Sequence, residues 1–252
     1  MYPTAIGSIV FGSVFGGSLV GMALRQRLPK HHLSDESKSV VQLGMGLVAT
    51  MTALVLALLI ASAKSSHDQQ SDEVIEISVD FMVLDRTLAR YGPEAKGARN
   101  LLPAAVQAVL DQTWRGNAYR SESLDRALGA SAEPFFGQLR ELQPHDEYQH
   151  ELYGQIMQIT FDLGHKRSLL LEQSAGSISM PFLVVMIVWL VLIFASFGLF
   201  APGNLTVIGV LFACALSVAG AVFLILELDR PFQGLIQISS APLQNALTQI
   251  SK

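Results

Sequence analysis

Charge is what this chain has least of: 15% of its 252 residues are Asp, Glu, Lys or Arg, against roughly 25% in a soluble globular chain. The shortage is local. Residues 5–24, 40–63, 181–201 and 205–226 hold none of the four, and each reaches the ~20 residues a helix needs to cross a hydrocarbon core. Strand alternation is also missing from these stretches, which run on continuous Leu, Val, Ile and Phe. That excludes a membrane barrel, whose strands would alternate over ~10 residues, and leaves helices that pair their own peptide groups in lipid. The first stretch lacks the positive n-region of a secretory signal and is long and Gly-rich, so it is read as a span.

Other absences narrow the function. The single cysteine, Cys214, lies inside the fourth stretch, so no intrachain disulfide can form. No long Lys/Arg-rich run exists, and the formal net charge is −4; nucleic acid is therefore not an expected partner. None of the six histidines forms the i, i+4 His pair of a helical zinc site, and Asp146 with His150 is a spacing that arises easily by chance. No Gly-x-Ser-x-Gly elbow occurs, and Gly44-x-Gly46 sits inside an apolar stretch with no strand before it. No catalytic residue, metal or cofactor is expected, and an enzyme is not the expected class.

What remains is an all-α integral membrane protein with four spans, two plus two. Residues 1–63 read as one transmembrane hairpin, 64–180 as an inserted extramembrane domain, 181–228 as a second hairpin and 229–252 as a tail. The loop between the first two spans carries Arg25, Arg27, Lys30 and Lys38, which by the positive-inside rule points it to the cytoplasm. The inserted domain would then lie outside, in the periplasm of a bacterial inner membrane. His31 and His32 are expected at headgroup level. Pro202, Gly203 and Asn204 alone join the last two spans, so those helices must be antiparallel neighbours.

The insertion holds eleven Lys/Arg against seventeen Asp/Glu, a net charge of about −6. Ile77, Phe81, Leu84 and Leu88 recur at helical spacing, as do Leu152, Ile156, Ile159 and Leu163, and the two stripes can pack together. Leu102, Ala105, Val106 and Val109 suggest a helix after Gly92-Pro93. Phe135, Phe136, Leu139 and Leu142 suggest a shorter one after Pro134. The expected domain is a small helical bundle continuing from the second span. In the tail, a short helix from about Ser240 would share Leu243, Leu247 and Ile250 on one face, expected against the membrane interface or another subunit.

Three constellations are candidates for function. Gly12-x-x-x-Gly16 and Gly17-x-x-x-Gly21 give the first span small residues that let helices approach closely in lipid, against the second span or a neighbouring subunit. Asp68, Asp72, Glu76 and Asp80 recur every four residues just beyond the second span, where like charges repel. Repeated around an axis they would form a cation-concentrating vestibule; in one chain they would be a solvated face. Glu227, Asp229 and Arg230 sit where the fourth span ends, a depth at which carboxylates need partners. Arg230, Pro231 and Phe232 are read as an anchor fixing the exit of that span, with Phe232 at the interface, and Glu227 and Asp229 as ion-contact candidates.

Three segments resemble a known family: Leu28-Pro29-Lys30-His31-His32-Leu33-Ser34, the run at 54–64, and Glu227-Leu228-Asp229-Arg230-Pro231-Phe232-Gln233-Gly234-Leu235-Ile236. They look like the bacterial bestrophin-like domain proteins, and the resemblance spans nearly the whole chain. It implies a relation to anion channels that assemble as pentamers. The acidic groups named above, if they face a pore, would favour cations instead. The expected function is an oligomeric ion channel or conductance-regulating protein, with lipid, further copies of itself and inorganic ions as partners. The alternative is a non-conducting sensor or scaffold whose acidic domain binds a partner or a divalent cation.

Overall fold

The computed structural model describes residues 3–29, 35–115, 134–173 and 180–251; Lys30, His31 and His32 lie outside them. Eight α-helices occur among the described residues: α1 (Pro3–Arg27), α2 (Asp35–Tyr91), α3 (Lys96–Leu110), α4 (134–140), α5 (Glu147–Gln173), α6 (Met180–Phe200), α7 (Leu205–Leu228) and α8 (Ala241–Ile250). No strand occurs among those residues. Four helices are long and apolar enough to cross a membrane, namely α1, α2, α6 and α7, so the two-plus-two arrangement of spans holds. α2 has 57 residues, about 85 Å at 1.5 Å per residue. That is more than twice a hydrocarbon core of ~30 Å, so much of it must lie outside lipid.

The chain divides into two compact units, one of Met1–Ser66 with Gly176–Arg230 and one of His67–Ala175 with Pro231–Lys252. In the first, the membrane unit, Val10 and Val14 of α1 pack with Leu183, Met186, Leu190, Leu211, Ala215 and Val222 of α6 and α7. Glycine sets the approach of α1 to α6. A Cβ at Gly21 would overlap the Ala195 carbonyl, and one at Gly198 the Ser18 carbonyl. Gly17 faces Val191, and Arg25 donates to the Ala201 carbonyl. These pairings advance together along both helices, so α1 and α6 run parallel. Gly7 meets Phe223 while Phe15 meets Phe212, so α7 runs antiparallel to them. The basic residues at the end of α1 therefore share one membrane face with the turn after α6.

The second, the helical domain, is built by the stripes that the sequence shows. Ile77, Phe81, Leu84 and Leu88 of α2 are buried against Leu102 and Val106 of α3, Phe135 and Leu139 of α4, and Leu152, Ile156 and Leu163 of α5. α2 stops at Gly92, whose φ of 126° is a conformation that a side chain disfavours. Pro93 then starts a short 3-10 turn. α8 departs from expectation. Leu243, Ala246 and Ile250 are buried in this domain's core, with Leu247 packed beside them, rather than turned to the membrane interface or another subunit. An uncharged amphipathic helix seeks any apolar surface, and the core of its own domain supplies one. Phe232 is likewise buried in that core and not at the interface.

Candidate functional site

The acidic stripe runs along α2 in the helical domain, on residues that the Ile77, Phe81, Leu84 stripe leaves outside. The Asp68 and Glu76 side chains are 52% and 61% exposed, and Asp72 is exposed. Asp80 is drawn inward, its side chain 24% exposed. The repulsion expected from the four-residue spacing is met from α5: the Lys166 ammonium lies 2.8 Å from Asp80 Oδ2 and 3.0 Å from Glu76 Oε2. Its hydrogen bond to Asp80 raises the Lys166 pKa above the ordinary lysine value, burial opposes that rise, and Glu76 adds to it. One cation is thus shared by Glu76 and Asp80 and offsets half their charge, while Asp68 and Asp72 stay at the surface, Asp68 beside His67 Nδ1 at 3.7 Å.

A further acidic residue of α2 was not singled out by periodicity. Asp85 is 7% exposed, on the core side between Leu84 and Leu88. Arg99 of α3 answers it with two parallel bonds, Nε to Oδ1 at 2.7 Å and Nη2 to Oδ2 at 3.0 Å. The hydrogen bond to Asp85 raises the Arg99 pKa further, against the effect of burial. The available signal was a carboxylate within an apolar stripe, since a buried charge needs a hydrogen-bonded counter-charge.

At the other end of α2, Gln149 ties two helix termini together. Its Nε2 donates to the Tyr91 carbonyl at 3.1 Å, its Oε1 accepts from the His145 amide at 2.8 Å, and its own amide donates to Asp146 Oδ1 at 2.6 Å. Asp146 therefore caps α5 in an Asp-x-x-Gln arrangement. Among the described residues, no three His, Cys, Asp or Glu gather as metal ligands.

The segment after α7 folds onto the helical domain through aromatic contacts. Trp114 Nε1 donates to the Ile238 carbonyl at 2.9 Å, and its ring meets Phe232 edge-on with centroids 5.3 Å apart. The Ile238 amide closes the loop on the Pro231 carbonyl at 2.7 Å. Arg230 is half-buried at the last position of the membrane unit. Glu227, near the end of α7, is 2% exposed, so its carboxylate is enclosed by the chain and apart from the Asp68 to Asp80 stripe in sequence and unit. Asp229 is half-buried and caps α7, its amide donating to the Ile225 carbonyl.

The glycines of α1 divide by face. Gly17 and Gly21 meet α6, whereas a Cβ at Gly12 or Gly16 would find nothing within 4 Å. The first GxxxG therefore faces outward from the chain. α2 is equally open across its span. Of its most apolar window 6% is buried, against 28%, 39% and 28% for those of α1, α6 and α7. Leu43, Leu47, Leu54 and Leu58 stand out from it.

Comparisons with known proteins bear on the whole chain. The family model of the Bestrophin-like domain matches residues 12–243. Among solved structures, two variants of a bacterial bestrophin homologue from Klebsiella pneumoniae are similar, each at a TM-score of 0.67. One, with a Trp-to-Ala substitution, is 15% identical, the match covering 98% of this chain and 94% of that one. The other, with an Ile-to-Thr substitution, is 14% identical, with coverage of 98% and 99%. At that identity the likeness establishes the fold. No curated protein matches. A four-span helical fold shared with bacterial bestrophin homologues, together with a family match over most of its length, places the chain in the bestrophin-like domain family.

Proposed function

We propose that the protein is an oligomeric ion channel of the bacterial inner membrane in which α2 surrounds the conduction path and the acidic stripe biases it toward cations. The observation that carries this reading is the α2 span, apolar enough for lipid yet 6% buried within its own chain. The buried core of the membrane unit comes from α1, α6 and α7; α2 lays Met45, Val48, Ala49, Leu56 and Leu59 against it and keeps Leu43, Leu47, Leu54 and Leu58 outside. A face so open is suited to other copies of the chain and to an axis between them. The outward Gly12 and Gly16 give α1 a close-approach surface for the same purpose. Membership in a family related to pentameric channels supports a ring of five.

Around such an axis, Asp68 and Asp72 repeat as acidic rings at the mouth of α2, raising the local cation concentration. Glu227 is assigned instead to holding the end of α7, because an enclosed carboxylate meets no passing ion. The arginines at the end of α1 and the turn after α6 share one membrane face, which the positive-inside rule puts in the cytoplasm. The helical domain is then periplasmic. Purified protein in liposomes tests the reading. Flux under a salt gradient should reverse at a potential favouring cations, and Asp68→Asn with Asp72→Asn should move that potential toward zero. Absence of flux across several ions and voltages by a protein that still assembles would contradict conduction and favour the non-conducting scaffold.

A further inference from the structure

The helical domain carries two apolar stripes that its own core leaves uncovered. On α5, Gly154, Met157, Phe161 and Gly164 follow at steps of three, four and three, the spacing that keeps residues on one face of a helix. Phe161 is 75% exposed, and Met157 is exposed beside it. A Cβ at Gly154 or Gly164 would meet nothing within 4 Å, so a second helix has room to approach on either side of the Phe161 ring. On α2, Ile75, Val79 and Val83 are exposed at steps of four. Water makes such surface costly, and an apolar patch on a domain of this kind marks a contact. The ends of the stripes are complementary in charge: exposed Arg86 and Arg90 follow Val83 on α2, and exposed Glu147 and Glu151 precede Gly154 on α5.

The two stripes cannot cover each other within one chain. Lys166 on α5 reaches Asp80 and Glu76 on α2, which marks the sides on which these helices face one another. At about 100° per residue, Phe161 lies about 140° around α5 from Lys166, and Ile75 about 140° around α2 from Asp80. The stripes therefore look out from opposite sides of the domain. Unlike faces placed so suit a head-to-tail contact, which closes a ring when repeated by rotation. Their heights agree as well. Lys166 stands level with Glu76 and Asp80, and Gln149, which donates to the Tyr91 carbonyl, stands level with Tyr91. α5 thus descends as α2 rises, with Phe161 level with Val79 to Val83 and Glu151 level with Arg90. Copies in one membrane share an orientation, and rotation about an axis alongside α2 leaves these heights unchanged.

We infer that in the assembled protein α5 of one copy docks on α2 of the next, with Phe161 and Met157 packed on Ile75 and Val79 and with Glu151 paired to Arg90 at the rim. The inference rests on the oligomer proposed above and names the surface that joins its subunits. The contact begins beyond Asp72 on α2, so the acidic rings do not depend on it.

Two differently tagged full-length chains in a Cys214→Ser background test it when co-expressed, one with Val79→Cys and the other with Phe161→Cys, and oxidised in native membranes with copper phenanthroline. Both positions are exposed, so neither cysteine disturbs the core. A disulfide-linked dimer carrying both tags is expected, at least about tenfold more abundant than when Phe161→Cys is replaced by Tyr148→Cys, an exposed position about 140° away around α5. Phe161→Asp should weaken self-association in detergent about tenfold at unchanged helical content. Arg90→Glu should weaken it about threefold, and adding Glu151→Arg should restore it. A two-tag dimer no more abundant than the Tyr148 control, or an oligomer unmoved by Phe161→Asp, would overturn the docking and leave a channel assembled through other surfaces. The two-tag dimer in a protein that passes no ions would uphold the docking and remove conduction. A chain that stays monomeric in the membrane would end both.

Discussion

The membrane unit and the helical domain hold their helices together by different means. In the membrane unit the contacts are made by absence of side chain: Gly21 and Gly198 let α1 and α6 approach until backbone meets backbone. Its outer surface is as apolar as its interior, with Val20, Phe182 and Leu216 all exposed. In the helical domain the contacts are made by bulk, with Ile77, Leu84, Leu102 and Ile156 almost fully buried, and buried charge is answered in pairs. The difference follows from the solvent. Lipid gives apolar side chains no reason to leave it, so close packing must drive association, whereas water drives them into a core.

That contrast can be broken at its strongest point first. Gly198→Leu forces a side chain onto the Ser18 carbonyl and should cost about 3 kcal/mol, read as loss of the folded, monodisperse protein in detergent. A thermal midpoint within a degree of wild type would mean that α1 and α6 do not depend on close approach. Next, Arg99→Gln leaves the Asp85 carboxylate buried without its counter-charge and should destabilise the helical domain by about 2–3 kcal/mol. Replacing both by leucine should recover most of the loss in chemical denaturation. If the single and double variants lose equally, the bidentate pair is not what the buried carboxylate requires.

A smaller effect is expected where the stripe is half-exposed. Lys166→Gln should cost about 1 kcal/mol and carries a pH signature. Because the folded pKa is raised, the contribution of Lys166 is complete below the unfolded lysine value near ~10.4 and is lost as pH rises through the higher folded value. The stability gap between wild type and variant should therefore be flat from neutral pH to about 9 and close above about 10.5. The smallest effect on the fold is expected from Gly12→Leu, within about 0.5 kcal/mol, since open space receives the new side chain. Its consequence should appear instead as a reduced share of the oligomer in mass measurements, which would distinguish the outward glycine face from the inward one.

Much of this was legible in the residues. The four spans follow from charge-free length alone, and the core of the helical domain from Ile77, Phe81, Leu84 and Leu88 at helical spacing. Glycine spacing showed that α1 packs closely, yet could not say that Gly21 faces α6 while Gly12 faces outward. Both motifs have the same chemistry, and only the position of α6 separates them. The destination of α8 was illegible for a similar reason: an apolar face at Leu243 and Ile250 states a need for cover without naming what provides it. The Asp146 and His150 spacing carried no signal, and the role of Asp146 lay in Asp-x-x-Gln just ahead of an apolar stripe, where its carboxylate accepts from the Gln149 amide. Glu227 looked like an ion contact because a carboxylate at a span end is costly. The residue is 2% exposed, which is why the proposed channel places its ion contacts at Asp68 and Asp72 instead.

In the proposed channel, one face of the α2 span borders water in the assembled protein although Leu43, Leu47, Leu54 and Leu58 are apolar and exposed on the single chain. Single cysteines placed at Leu43, Leu47, Leu54 and Leu58 in a Cys214→Ser background, challenged in native membranes with a small membrane-impermeant thiol reagent, address it directly. Modification at positions on one face of α2, with none at Val210 or Leu216 of α7, is the predicted pattern. Protection of every α2 position, equal to that of α7, would mean that α2 is wrapped in lipid or protein and lines no path.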